Sequence, residues 1–111
     1  MAEEFKNKVA ALTTTSDDGV SNGIYTAGSG VTAIIVHCQV ANVDGTNSAD
    51  LNIDHNDGST VSALVSTLAV PADTAVNPIG GKLVLEAGDE LRCWASAASD
   101  LELTLSLLEI T

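Results

Sequence analysis

Apolar and polar positions alternate along most of this chain with a period of two, the pattern of strands that bury one face. The last segment is the clearest case. Leu101, Leu103, Leu105 and Leu107 point one way, while Glu102, Thr104 and Ser106 point the other. The phase then slips, because Leu108 and Ile110 carry the apolar pattern onto the opposite parity. A β-bulge near Leu107-Leu108, or burial of both faces at the strand's end, accounts for the slip. Leu is a modest strand former, but alternation with Thr and Ser outweighs propensity here.

Working back from that segment, strands are expected at Lys8–Leu12, Ser21–Thr26, Val31–Val43, Asp50–His55, Thr60–Val70, Lys82–Leu85 and Asp89–Ala95. In the longest of them Val36, Cys38 and Val40 share a face. In Asp89–Ala95, Leu91 and Cys93 point inward and Glu90, Arg92 and Trp94 outward. Turn chemistry separates the runs: Asn56-Asp57-Gly58, Pro71, Asn77-Pro78-Ile79-Gly80-Gly81 and Glu86-Ala87-Gly88-Asp89. The stretch Ser62–Leu68 is the one rival for a helix, and it is too short and too rich in Ser, Thr and Val. About eight short strands without repeat or linker predict an all-β fold. The expected architecture is a single-domain antiparallel β-sandwich of jelly-roll type over residues 9–111, preceded by an N-terminal arm at residues 1–8.

Composition narrows the function classes. The chain has 111 residues, 45% of them hydrophobic but only 3% aromatic, so the core is aliphatic and flat stacking platforms are few. Fifteen acids against Lys6, Lys8, Lys82 and Arg92 give a formal net charge of −11. That balance excludes nucleic acid and anionic membrane surfaces, whose phosphates need Lys and Arg. A partner should be neutral or basic. No apolar run reaches the ~20 residues of a bilayer span, and the acidic start Met1-Ala2-Glu3-Glu4 has the wrong sign for a secretory signal. These features predict a soluble protein made in the cytoplasm.

No catalytic, cofactor or metal site is expected. His37 and His55 are the only histidines, without the paired histidines and glutamate of a metal-binding cupin. Asp54-His55-Asn56-Asp57-Gly58 has the composition of a calcium loop, but Val65 stands where an EF-hand carries its glutamate. A hairpin turn is the expected reading, and Asp17-Asp18-Gly19 is read the same way. Ser16, Ser21 and Ser29 lack a nucleophile elbow, and Gly28-Ser29-Gly30 opens no helix. Cys38 and Cys93 have no CxxC spacing. Both fall on inward faces as small buried apolar residues, with a disulfide left open should their strands face each other.

Trp94 carries more information. It shares the outward parity of Glu90 and Arg92, so it is either an interface anchor or a ring laid flat on its own sheet. Phe5, in the charged arm, would dock on its own domain's edge or on a neighbour. With Leu108 and Ile110, these two form the candidate subunit or capsid interface.

The order of segments resembles a known class. Glu4-Phe5-Lys6-Asn7-Lys8-Val9 leads to Ile24-Tyr25-Thr26, then Val31-Thr32-Ala33-Ile34-Ile35-Val36, Ala41-Asn42-Val43 and Val70-Pro71-Ala72. Leu83-Val84-Leu85-Glu86-Ala87-Gly88-Asp89-Glu90-Leu91 and a terminal Leu108-Glu109-Ile110-Thr111 complete it. This resembles small virion structural proteins of tailed bacteriophages, several of which are jelly-roll capsid decoration (cement) proteins, others neck, collar or tail-fibre components. The two cysteines are not part of that pattern. The resemblance implies a non-enzymatic virion protein whose partners are the major capsid protein or other virion proteins, and a homo-oligomer, a trimer by preference. No functional residue carries over, because the class shares no catalytic motif. The reading from another class is a carbohydrate-binding module, for which only Trp94 and Tyr25 are available as surface aromatics.

Overall fold

Alternation and turn chemistry divide the chain into nine strands in the computed structural model, which describes residues 2–17 and 22–111. They are β1 (Glu3–Ala11), β2 (Gly23–Thr26), β3 (Thr32–Asn42), β4 (Ala49–Asn56), β5 (Val61–Val70), β6 (Ala75–Val76), β7 (Leu83–Leu85), β8 (Glu90–Ala95) and β9 (Leu101–Ile110). The expected start of the second strand at Ser21, and the Asp18-Gly19 part of the first turn, lie outside the described residues. The two-residue β6 is too short to show alternation in sequence; it pairs with Val40 and Ala41 along the open edge of β3.

One sheet, here sheet A, has the order β1-β9-β3, with β6 and β7 both on the far edge of β3. Sheet B has the order β2-β8-β4-β5. The first four strands alternate between the sheets, β4 and β5 form a hairpin, and the returning chain inserts β8 and β9 into central positions. This is a jelly roll. Its core is the aliphatic layer between the sheets. Ile35, Val40, Leu103, Leu105 and Leu107 come from sheet A, and Leu51, Ile53, Val70 and Leu91 from sheet B, all essentially without solvent contact.

β1 begins at Glu3 rather than at Lys8 and pairs with β9 in unbroken register, from Glu3↔Ile110 to Ala11↔Glu102. Charged residues persist there because β1 is an edge strand, where charge guards against stray pairing. Phe5 therefore belongs to a ladder and not to a free arm.

The expected bulge at Leu107-Leu108 is corrected. β9 alternates regularly, and the irregularity lies in its partner β3, between Ile35 and His37, opposite Leu107 and Ser106. Ile35 and Cys38 are both core residues three positions apart, so the intervening Val36 and His37 both turn outward. Val36 thus leaves the face it was expected to share with Cys38 and Val40, and is 40% exposed.

Two polar devices close the ends of the sandwich. Buried Asn42 donates from Nδ2 to the carbonyls of Asn47 (3.0 Å) and Val70 (2.9 Å), and its Oδ1 accepts from the Asp44 N–H (2.9 Å). It ties the end of β3 to the following loop and to β5, satisfying backbone groups that burial would otherwise orphan. At the β1–β2 side, the Tyr25 hydroxyl donates to Glu109 Oε2 (2.5 Å), and Lys6 Nζ meets Glu109 Oε1 at 2.9 Å. That trio links the two sheets where their edges approach.

Candidate functional site

Direct partners in an antiparallel ladder project from the same face. Phe5 lies opposite Leu108, Leu108 opposite Ile34, and Ile34 opposite Val84. Four strands of sheet A each contribute one apolar side chain to a single row across its outer face. Ile110 stands in the adjacent row between Glu3 and Thr32. Phe5 is 77% and Val84 51% exposed; Ile34, Leu108 and Ile110 are half-buried by their flanking strands.

The rest of that face is polar but almost uncharged. Its further rows are Asn7–Ser106–His37, Val9–Thr104–Gln39 and Ala11–Glu102–Ala41. Among the positions of β1, β9 and β3 that project there, Glu3 and Glu102 are the only Asp, Glu, Lys or Arg residues. Depletion of charge around an apolar centre is the compositional mark of a protein interface. Three of the four sequence candidates, Phe5, Leu108 and Ile110, meet on this face.

Trp94 does not join them. It sits half-buried on the outer face of sheet B, beside Asn52. Tyr25 points the other way, packed against the core and bound to Glu109, so the two aromatics form no shared platform for a sugar ring. Sequence reasoning missed Ile34 and Val84. Their signal was an apolar run where alternation calls for a polar residue, Ile34-Ile35-Val36 and Leu83-Val84-Leu85. Only the register places those runs in one row with Phe5 and Leu108.

A second apolar feature is β5, where Val61, Leu64 and Leu68 are exposed. Its pairing with β4 is broken twice, at Ile53/Asp54 and Leu51/Ile53, and Thr67 takes a left-handed φ of 54°. Such irregularities twist an edge away from further pairing.

The polar clusters are structural. Arg92 Nε donates to Glu90 Oε1 at 2.6 Å, and Nη1 lies 3.8 Å from Asp17 Oδ1. Asp54, the cross-strand partner of Arg92, is buried, and burial first and Asp17 second hold its carboxyl above the usual range. His55 Nε2 lies 3.0 Å from Asp89 Oδ2, which also accepts from the Glu86 N–H. His37 is exposed on sheet A, so the two histidines occupy different sheets. Asp57 Oδ1 accepts from the N–H groups of Ser59 and Thr60, and Asn56 Oδ1 from that of Gly58, which has φ 93°. That is a hairpin turn with its carboxylate committed to backbone. Among the described residues, no group of three His, Cys, Asp or Glu is arranged to hold a metal ion. None of them forms a helix long and apolar enough to cross a membrane.

Cys38 and Cys93, on opposite sheets, are both buried and both free. The disulfide left open by the sequence is not formed. Burial pushes the Cys38 thiol up to about 11 and the Cys93 thiol higher still. The thiolate is the nucleophile, so at pH 8 both should resist an aromatic disulfide reagent in the native protein. Two thiols should appear together on unfolding in urea; fast labelling of native protein would show that the core opens locally.

No family model matches the chain, and no characterised protein matches it by sequence. Three solved structures share parts of its architecture. A protein of the disulfide-linked pili that form Bacillus endospore appendages aligns over 99% of this chain and 87% of its own, at 14% identity and TM-score 0.48. A pentameric capsid protein from metagenomic phage sequences aligns over 93% of this chain at 20% identity and TM-score 0.47; this chain spans 58% of that protein. The Eiger TNF of S. frugiperda aligns over 95% of this chain and 85% of its own, at 12% identity and TM-score 0.47. The jelly-roll assignment itself rests on the strand order and burial of this chain.

Proposed function

We propose that the protein is a non-enzymatic structural component of a tailed-phage virion, a capsid decoration (cement) protein that binds the assembled shell. The observation that carries this reading is the outer face of sheet A, crossed by an apolar row and poor in charge along β1, β9 and β3, on a chain of net charge −11. A solvated face of so acidic a protein has no reason to shed its charge. A face covered by protein does. The resemblance in segment order to small phage virion proteins supplies the particle, and the major capsid protein or another virion protein the partner.

A ligand that binds only the assembled lattice stabilises it by mass action. Purified protein added to shells lacking it should co-sediment at hundreds of copies per particle and raise the temperature at which the shells rupture. About a dozen copies per native particle would move the protein to the neck, collar or tail fibre. Failure to bind any particle, with retention on a polysaccharide column, would favour the carbohydrate-binding reading.

A further inference from the structure

We infer that the outer face of sheet A is the surface through which copies of this chain meet one another, with the Phe5–Leu108–Ile34–Val84 row at the centre of the contact. The inference deepens the reading above: it rests on that face being an assembly surface, and it is indifferent to whether the assembly sits on a capsid.

Charge decides the occupant. The whole chain carries −11, yet of the β1, β9 and β3 positions that project from this face only Glu3 and Glu102 are Asp, Glu, Lys or Arg. A basic partner would be drawn to the acidic remainder of the surface and would find little here to pair with. A second copy is repelled by that remainder and can approach closely only where carboxylates are sparse. At physiological ionic strength the screening length is about 8 Å, and the two sheets of a sandwich lie about 10 Å apart. Charges on sheet B of each copy are thus largely screened when the sheet A faces touch. Glu102 stands six residues along β9 from Leu108, about 20 Å from the apolar row. A contact centred on that row leaves it at the rim.

The polar half of the face suits a copy of itself. The amides of Asn7 and Gln39 and the hydroxyls of Thr104 and Ser106 each donate and accept hydrogen bonds, so a symmetry-related set of the same groups can satisfy them. The area is also sufficient. The three long strands β1, β9 and β3, at spacings of ~4.8 Å plus side-chain width, span about 15 Å by about 30 Å, and the short β6 and β7 add a little along the edge of β3. The footprint, roughly 500 Å² per copy and about 1,000 Å² in total, is that of a small, reversible interface. The β5 edge offers no such surface, because its ladder is interrupted twice.

Sedimentation of the intact chain from micromolar to millimolar concentration tests the inference. The expected result is reversible assembly to a small whole multiple of the chain mass, read directly as the copy number. Phe5→Lys and Val84→Lys, on β1 and β7, change exposed side chains and leave the fold intact. Each enters a symmetric contact once per copy, so each should weaken assembly by at least tenfold. Leu64→Lys, on the β5 edge, should leave assembly unchanged. The single Trp, Trp94, lies on sheet B, so its quenching by acrylamide should be the same in monomer and assembly. A chain that stays monomeric at millimolar concentration overturns the inference. So does assembly abolished by Leu64→Lys but not by the row variants, or a Trp94 that becomes shielded. A chain that assembles as expected but fails to bind shells sinks the decoration reading alone.

Discussion

Leu105→Ala should lower the thermal unfolding midpoint by roughly 12 °C, the expected consequence of losing about 3 kcal/mol in a domain of this size. Leu105 has no solvent contact and lies at the middle of β9. β9 is the strand on which sheet A is built, paired with β1 on one side and β3 on the other. Its side chain meets the layer from sheet B, and rigid strands on both flanks limit collapse into the cavity left by truncation. The control is Leu108→Ala, three residues along the same strand but on the outer face and only half-buried. In dilute monomer that change should cost about 1 kcal/mol. Calorimetry of the two variants separates the faces of β9. Equal losses would mean that the outer face is as buried as the inner one, and the apolar row would cease to be a surface.

Tyr25→Phe should cost about 1.5 kcal/mol at neutral pH, the usual loss for a hydrogen bond to a charged acceptor. It should also reshape the dependence of stability on pH. The Tyr25 hydroxyl first, and Lys6 second, hold the Glu109 carboxyl below its ordinary value of about 4.3. A depressed carboxyl stabilises the fold fully above that ordinary value, and the contribution fades as pH falls through the lowered one. Burial first, and Glu109 second, push the Tyr25 hydroxyl above its ordinary value of about 10. Its contribution is complete below that value and is lost as pH rises beyond it. Urea midpoints measured across pH should therefore converge for the parent and Tyr25→Phe at both extremes and differ most between them. A constant offset at all pH values would show that the hydroxyl contributes packing and not a hydrogen bond to an ionised Glu109.

Period-two alternation was enough to locate the strands from β2 to β9, the two-residue β6 excepted, because a half-buried strand must alternate. Turn residues were enough to punctuate them. The inward placement of Leu91, Cys93 and Leu101 to Leu107 followed from parity alone, and each is buried. Composition adds one expectation of its own: four bases against fifteen acids argue against a nucleic-acid partner.

What alternation could not reveal was which strand carries an extra residue. The slip at Leu107-Leu108 is visible in β9 because Leu108 and Ile110 are apolar on its outer face; the irregularity itself is in β3, between Ile35 and His37, and a bulge belongs to a pair of strands. The same limit hid the row on sheet A. Phe5, Ile34, Val84 and Leu108 each read locally as a single apolar residue out of phase or in a charged segment. Strand pairing set them side by side, and strand pairing also separated them from Trp94. Parity along one strand is local chemistry, written in the order of residues; a face is a property of register between strands distant in sequence, and that only the tertiary structure decided.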